Sequence, residues 1–472
     1  MRQLSRILLA SGIAVMAFSC KKSFLELAPV SNANAVNFYK TTSDFDLAVA
    51  AAYNSLYTIY APEGSVSYAS EQMGDNAIVY NISGIETDKW AFKDYNLKPA
   101  NTMVYQFWQE YYKALFNINI VLDKIEAASV STSYKEGVKA EMSFLRGLYY
   151  FNMVRLWGDV PLVLTPLSAE ESYKVLRSPQ ADVYNQIIKD LQYAADKLPL
   201  NSATSVKGKA TKGAAQTLLG KVLLTKGDKA SAAAVLQQVY NSNEYSLLPS
   251  YASLWGPTAK NTKESIFEIQ YIGGSSSNPY SRYYQIFFPN TNIYGFYGGG
   301  MNQVTDDLWN EYESSDVRRD ISIATGYQNG TTFVAQKYPK KWTDASATIQ
   351  GGAVYGNNNF MVLRYADVLL MLSEATGDAS YLNQVRARVS LPAYGTAGYP
   401  SAKYPTLDLA IEHERRVELA LEFHRWFDLK RTNRAIPVLS AKGKAITEQK
   451  LLLPIPEIVR NQNPAVLQNA GY

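Results

Sequence analysis

The most constraining feature of the chain is a pair of short apolar stripes set back to back. Ala215, Leu218, Leu219, Val222 and Leu223 recur at the three-and-four spacing of one helical face. Gly227-Asp228 supplies turn chemistry. Ala232, Val235, Leu236, Val239 and Tyr240 then repeat the stripe. Two helices, a tight turn and alanines at close-contact positions predict an αα-hairpin of tetratricopeptide type. Further periodic segments are expected as helices over 43–60, 104–127, 133–157, 179–198, 361–376, 380–389 and 407–432. Ser43 is the expected N-cap of the first, and Ser178 with Pro179 opens the fourth. Paired, they make about four hairpins, enough for a short solenoid. The expected fold is therefore mainly α: a tetratricopeptide-like solenoid of helical hairpins carrying two irregular, loop-rich inserts.

The inserts show as breaks in the helical pattern. From about 250 to 358 the chain is dominated by Gly, Ser, Asn and Tyr, with Gly273-Gly274-Ser275-Ser276-Ser277, Gly298-Gly299-Gly300 and Gly351-Gly352. A second, shorter insert runs from about 62 to 101. Loops of such length are usually functional. The resulting division is 1–20 a signal segment, 21–42 a tether, 43–249 helical hairpins with the insert at 62–101, 250–358 the long insert, and 359–472 a C-terminal helical part.

Both inserts are rich in aromatic residues, and 35 of the 472 residues are tyrosine. A ring covers the apolar C–H face of a sugar, while Asp, Asn, Lys or Arg beside it bonds the hydroxyls. Trp90 is the leading candidate, because it stands among Asp, Thr and Lys. Tyr80, Tyr95 and Asp75 accompany it in the first insert. Tyr294, Phe296 and Tyr297 stand in the second, where flanking glycines can open the ring faces. For any single ring, filling a small local core is the competing expectation.

Catalytic and metal motifs are missing. No Gly-x-Ser-x-Gly elbow or His-Glu-x-x-His pair occurs, and Gly443-Lys444 lacks the rest of a phosphate loop. The two histidines, His413 and His424, lie eleven positions apart with no cysteine near them, so no metal site or cofactor is expected. A net charge of +4 without a basic run away from the N-terminus gives no nucleic-acid footprint. Paired carboxylates for glycoside hydrolysis stay open, since only geometry would single out a working pair. The chain reads as a binder, not an enzyme.

At the N-terminus, Arg2 and Arg6 flank a short basic region, and Ile7 to Phe18 is apolar but too short to span a bilayer. Ala17 and Ser19 then precede Cys20, the only cysteine. This resembles a bacterial lipobox, with Ala17 where leucine is usual, and implies lipidation at Cys20. An ordinary signal peptide with an incidental cysteine is the alternative. Acyl chains at Cys20 would anchor the body stably.

The charged segment from Glu412 to Asp428 is expected to carry helix-surface ion pairs, Glu412 with Arg416 and Glu422 with Arg425, some of them buried where inserts meet the platform. It also carries a resemblance. Glu414-Arg415-Arg416-Val417-Glu418-Leu419-Ala420-Leu421-Glu422-Phe423-His424-Arg425-Trp426-Phe427-Asp428-Leu429 is similar to the C-terminal signature of the SusD/RagB family, with Phe423 where glycine is commoner. Phe144-Leu145-Arg146-Gly147-Leu148-Tyr149-Tyr150-Phe151 through Trp157-Gly158-Asp159-Val160-Pro161, then Leu363-Arg364-Tyr365-Ala366-Asp367, and finally Leu453-Pro454-Ile455-Pro456 follow the family's order. Asp75 resembles a commonly acidic family position. The resemblance implies a lipid-anchored protein on the extracellular face of the outer membrane. It implies a SusC-like TonB-dependent outer-membrane transporter as partner, and an oligosaccharide nutrient as ligand. A peptide ligand is the nearest alternative; a glycosidase and a purely protein-binding scaffold are more distant.

Overall fold

In a computed structural model the described residues are 38–79, 87–204 and 206–472. Cys20, the tether up to residue 37 and Tyr80 lie outside them.

The helical framework runs through α1 (Thr42–Ile59), α2 (Thr102–Ala127), α3 (Thr132–Trp157), α4 (Gln180–Lys197), α5 (Lys212–Thr225), α6 (Lys229–Asn241), α7 (Tyr365–Thr376), α8 (Ala379–Arg388), α9 (Leu407–Glu418) and α10 (Arg425–Arg431). The mainly helical architecture is the expected one. From α1 to α8 each helix packs against the next, across the long insert as well. The centre is α3, which touches α1, α2, α4 and α5 and is buried almost all round from Ser143 to Trp157, Arg155 excepted. A helix buried on every side belongs inside a bundle, and its polar Arg146 is paired there with Asp190. The α5/α6 hairpin is as close as its small residues allow. A Cβ on Gly220 would meet the Leu236 side chain at 2.5 Å.

Side-chain caps fix the starts. Thr41, two residues before the expected Ser43, closes a capping box with Asp44. Asn101 Oδ1 accepts the N–H groups of Met103 and Val104, both at 3.1 Å.

Two expectations at the C-terminal side need correction. Met361 to Arg364 is not the start of a helix. It belongs to strand β8 (Phe360–Arg364), which pairs antiparallel with β1 (Ser265–Ile269). Every residue of both strands is buried, and a short, wholly buried apolar run has no period to separate strand from helix. The segment 407–432 is not one helix either. Between α9 and α10 the backbone turns at Leu421 (φ +62°) and Phe423 (φ +67°).

The charged residues of this region form no surface ladder. Arg318 binds Asp316, Glu414 and Glu418; Arg364 binds Glu264, Glu418 and Glu422; Arg388 binds Glu264 and Glu418; Arg386 binds Glu313 and Glu414; and Lys341 binds Glu422. Arg416 and Arg425 turn to Asp75, although Arg425 also keeps Glu412 at 3.6 Å. Buried charges persist only when paired. These pairs therefore tie the long insert and β8 to α8 and α9.

Candidate functional site

The exposed aromatic surface lies on the long insert and is built from three two-stranded hairpins. They are β2 (Asn292–Ile293) with β3 (Phe296–Tyr297), β4 (Tyr327–Asn329) with β5 (Thr332–Val334), and β6 (Thr348–Gln350) with β7 (Ala353–Tyr355). Beneath them Phe288 is the hub of a small core. Its ring lies 5.3 Å from Phe296, 5.5 Å from Tyr327, 5.0 Å from Tyr338 and 5.8 Å from Tyr294. Gln285 staples two hairpins: its Nε2 donates to Gly352 O at 3.1 Å and to Tyr297 O at 3.3 Å, and its Oε1 accepts Val354 N–H at 3.2 Å.

The two-residue turn between β2 and β3 is Tyr294-Gly295, and both have positive φ, +56° and +85°. A turn of that hand matches the twist of its strands. It also lifts Tyr294 out of the hairpin. Tyr294 is 50% exposed and Tyr297 53% exposed, yet neither side chain hangs free. Tyr294 Oη donates to Gln328 O at 2.8 Å, and Tyr297 Oη donates to Asn290 Oδ1 at 2.6 Å. Each hydroxyl fixes its ring while leaving area open. Phe333, cross-strand neighbour of Gln328, is also half exposed, and the Ile349 side chain lies beside Gly295. The stretches 283–305, 321–336 and 345–363 that build this surface contain no Asp, Glu, Lys or Arg.

The remaining expected site residues are elsewhere. Phe296 is a core ring of the same insert, 1% exposed. Asp75 is buried with Arg425 Nε at 2.7 Å, Arg416 at 3.1 Å and Lys442 against it. Burial works against the Asp75 charge, but these cations hold the carboxyl well below its usual range. Tyr95 is buried, adopts φ +51° and donates its hydroxyl to Met73 O; burial raises its phenol pKa well above the usual value. Trp90, in the helix Thr87–Lys93, is partly covered by the main core, and its indole N–H is buried without an acceptor. Asp75, Tyr95 and Phe296 are thus interior groups, and the hairpin surface brings together only Tyr294 and Tyr297 of the expected set. Phe333 was not anticipated. Asn329-Gly330 between two short β-prone runs is the turn signal that marks its hairpin. Among the described residues no group of three or more His, Cys, Asp or Glu could hold a metal ion.

Two family profiles match in chain order. One, described as starch-binding associating with outer membrane, covers residues 23–224; the other, described as the SusD family, covers residues 322–472. The chain belongs to the SusD/RagB family. A SusD-like protein of Formosa agariphila is 29% identical over 95% of this chain and 96% of its own length. A SusD-like protein of Bacteroides ovatus is 27% identical over 92% of this chain and 83% of its own. Among solved structures, a laminarin-binding SusD-like protein superposes with a TM-score of 0.80 at 29% identity, covering 92% of this chain and all of that one. A SusD superfamily protein of Bacteroides vulgatus gives 0.77 at 25% identity, with the same coverage. These SusD neighbours share the helical, tetratricopeptide-like fold. No helix among the described residues of this SusD-like chain is long and apolar enough to cross a membrane.

Proposed function

We propose that this SusD-like protein captures an oligosaccharide nutrient at the cell surface, without catalysis, and delivers it to a SusC-like TonB-dependent outer-membrane transporter. Acylation at Cys20 would hold it on the extracellular face. The observation that carries the reading is the pair Tyr294 and Tyr297. These are half-exposed rings pinned by their own hydroxyls, and the three stretches that build their surface carry amides and hydroxyls but no charged side chain. Such rings suit the apolar faces of sugars, and the surrounding Asn, Gln and Thr side chains suit their hydroxyls. A carboxylate pair of the kind glycoside hydrolysis needs is absent from this surface. The laminarin-binding relative supports a glycan as ligand.

The test is a glycan and peptide array probed with residues 21–472, followed by calorimetry on the best ligand. Tyr294→Ala/Tyr297→Ala is expected to weaken glycan binding at this surface at least tenfold, about 1.4 kcal/mol or more. Both rings are half exposed, so the melting temperature should move by only a few degrees. An array that lights up with peptides alone, or an unchanged affinity in the variant, defeats the reading.

A further inference from the structure

A concavity of about 670 Å³ lies away from the hairpin surface. It is a groove along the outward face of α2, walled by the loop 161–175 and closed at one end by the helix Glu457–Gln462 and the residues that follow it. None of its lining residues belongs to the three stretches that carry Tyr294 and Tyr297.

Five aromatic side chains line it. Tyr105, Trp108, Tyr112 and Phe116 recur three or four residues apart on α2, and Tyr173 faces them from the loop. On a helix this row runs roughly 16 Å. Phe116 is 45% exposed and Tyr173 49% exposed, so both keep ring area open in the groove. Aliphatic side chains such as Leu167, Val175 and Val459 also line the groove, and polar ones interleave with the rings: Gln106, Gln109, Glu110 and Lys113, with Thr165 and Asn463 opposite.

The groove is built rather than left over. Gly158 ends α3 at φ +75°, where a Cβ would meet Leu452 at 2.9 Å, and sends the following loop back beside α2. Tyr112 Oη donates to Pro161 O at 2.9 Å, and Asn119 Nδ2 donates to Val163 O at 2.9 Å. Tyr150 Oη accepts Val163 N–H at 2.7 Å and donates to Val163 O at 2.9 Å. The wall is therefore fixed at a set distance from the helix before any ligand arrives.

Its charge selects the occupant. Glu110 and Lys113 are the only carboxylate and the only cation in the lining, so the lining carries no net charge. A phosphate or an acidic peptide finds no complement there, whereas an uncharged, hydroxyl-rich chain with apolar ring faces matches both the rings and the amides. The geometry points to a second carbohydrate site in this groove, binding a neutral glycan chain independently of the hairpin surface. This rests on the carbohydrate reading above. Two sites on one body would hold one long polysaccharide at two points, and the second contact gains from the effective concentration set by the first.

The experiment uses the mature-length body, residues 21–472, and a panel of neutral polysaccharides: a β-glucan, an α-glucan, a mannan and a xylan. The tightest binder and a short oligosaccharide cut from it are titrated calorimetrically. Four proteins are compared: wild type, Tyr294→Ala/Tyr297→Ala, Phe116→Ala/Tyr173→Ala, and the quadruple variant. We expect two sites for the oligosaccharide in wild type, one in each double variant and none in the quadruple variant. Polymer affinity should fall about tenfold in either double variant. If the hairpin variant alone abolishes all binding, the groove is no carbohydrate site and the function proposed above stands. If the groove variant alone does so, the groove is retained and the hairpin assignment fails. If wild type binds none of the panel, both fail. Gln109→Trp narrows the groove without removing its rings; it should reproduce the groove phenotype, and full two-site binding by it would count against the inference.

Discussion

Phe423 sits at a left-handed backbone position (φ +67°), yet it is not a glycine. Its ring stacks on Phe360 with centroids 4.7 Å apart, and its N–H donates to Glu71 Oε1 at 3.0 Å. Glycine would relieve roughly 1 kcal/mol of backbone cost, while deleting a buried Phe ring costs about 3–5 kcal/mol. The ring wins. Phe423→Gly should destabilise the protein by about 2–4 kcal/mol, read from denaturant melts, and a stabilised variant would show that backbone strain dominates. The resemblance to the family signature implies only that glycine is commoner at this position; why this chain departs is invisible until Phe360 is known to lie against it. The same holds for the site candidates that prove to be interior. Asp75 stands in polar surroundings along the chain, but the partners that bury it lie about 350 positions away, and no local pattern reports them. The exposure of Tyr294 and Tyr297 was legible because flanking glycines open the backbone around them.

At the scale of elements, helices such as α2 and α4 were readable because one face of each is buried, and period 3.6 follows from that; α3, buried nearly all round, was readable from its length and its stop at Gly158. β8 was not, since it is buried on both faces. Connections between elements are where polar chemistry decides. His413 of α9 stacks on Tyr404 at 4.0 Å, with Nδ1 2.9 Å from Glu311 and Nε2 3.5 Å from Glu313. This clamps the loop before α9 and the residues after Asn310 to one helix. Burial opposes a charge on the imidazole, but Glu311 and Glu313 outweigh it, and the pKa is raised above its usual value. Burial also opposes the Glu313 charge, yet contact with His413 and Arg386 brings its carboxyl down to about 2. A raised histidine pKa stabilises the fold fully below the unfolded value, near 6.5, and that contribution fades as pH rises through the folded value. His413→Gln should therefore cost about 1–3 kcal/mol at pH 6 and progressively less toward pH 9. Melts of wild type and variant across that range check this; a gap that stays constant with pH would rule the clamp out as a titrating contact.

For the whole molecule, the fold class and the order of its helical parts were legible, whereas the packing of the inserts was not. The inserts pack by irregular contacts such as the Phe288 hub and the Gln285 staple, which have no period to read. The proposed anchor also belongs to this scale, because it decides which way the body faces. Cys20→Ala should shift the protein from the membrane pellet to the soluble fraction; retention in the pellet after a high-salt wash would dispose of lipidation as the attachment.

The ion pairs that join the long insert, β8, α8 and α9 have one further consequence, for the order of assembly. In the chain, Arg318, Arg364 and Arg388 precede Glu414, Glu418 and Glu422, the carboxylates that complete their pairing. Asp316 and Glu264 pair these cations only in part, so full burial of the segment from 264 to 388 waits for those later carboxylates. The helices from α1 to α6 depend far less on later residues: Arg146 of α3 finds Asp190 in α4, and Lys221 of α5, which waits for Asp367, is the exception. The helical stub from α1 to α6 can thus settle first, and the half that carries the hairpin surface locks only when the last quarter of the chain packs against it.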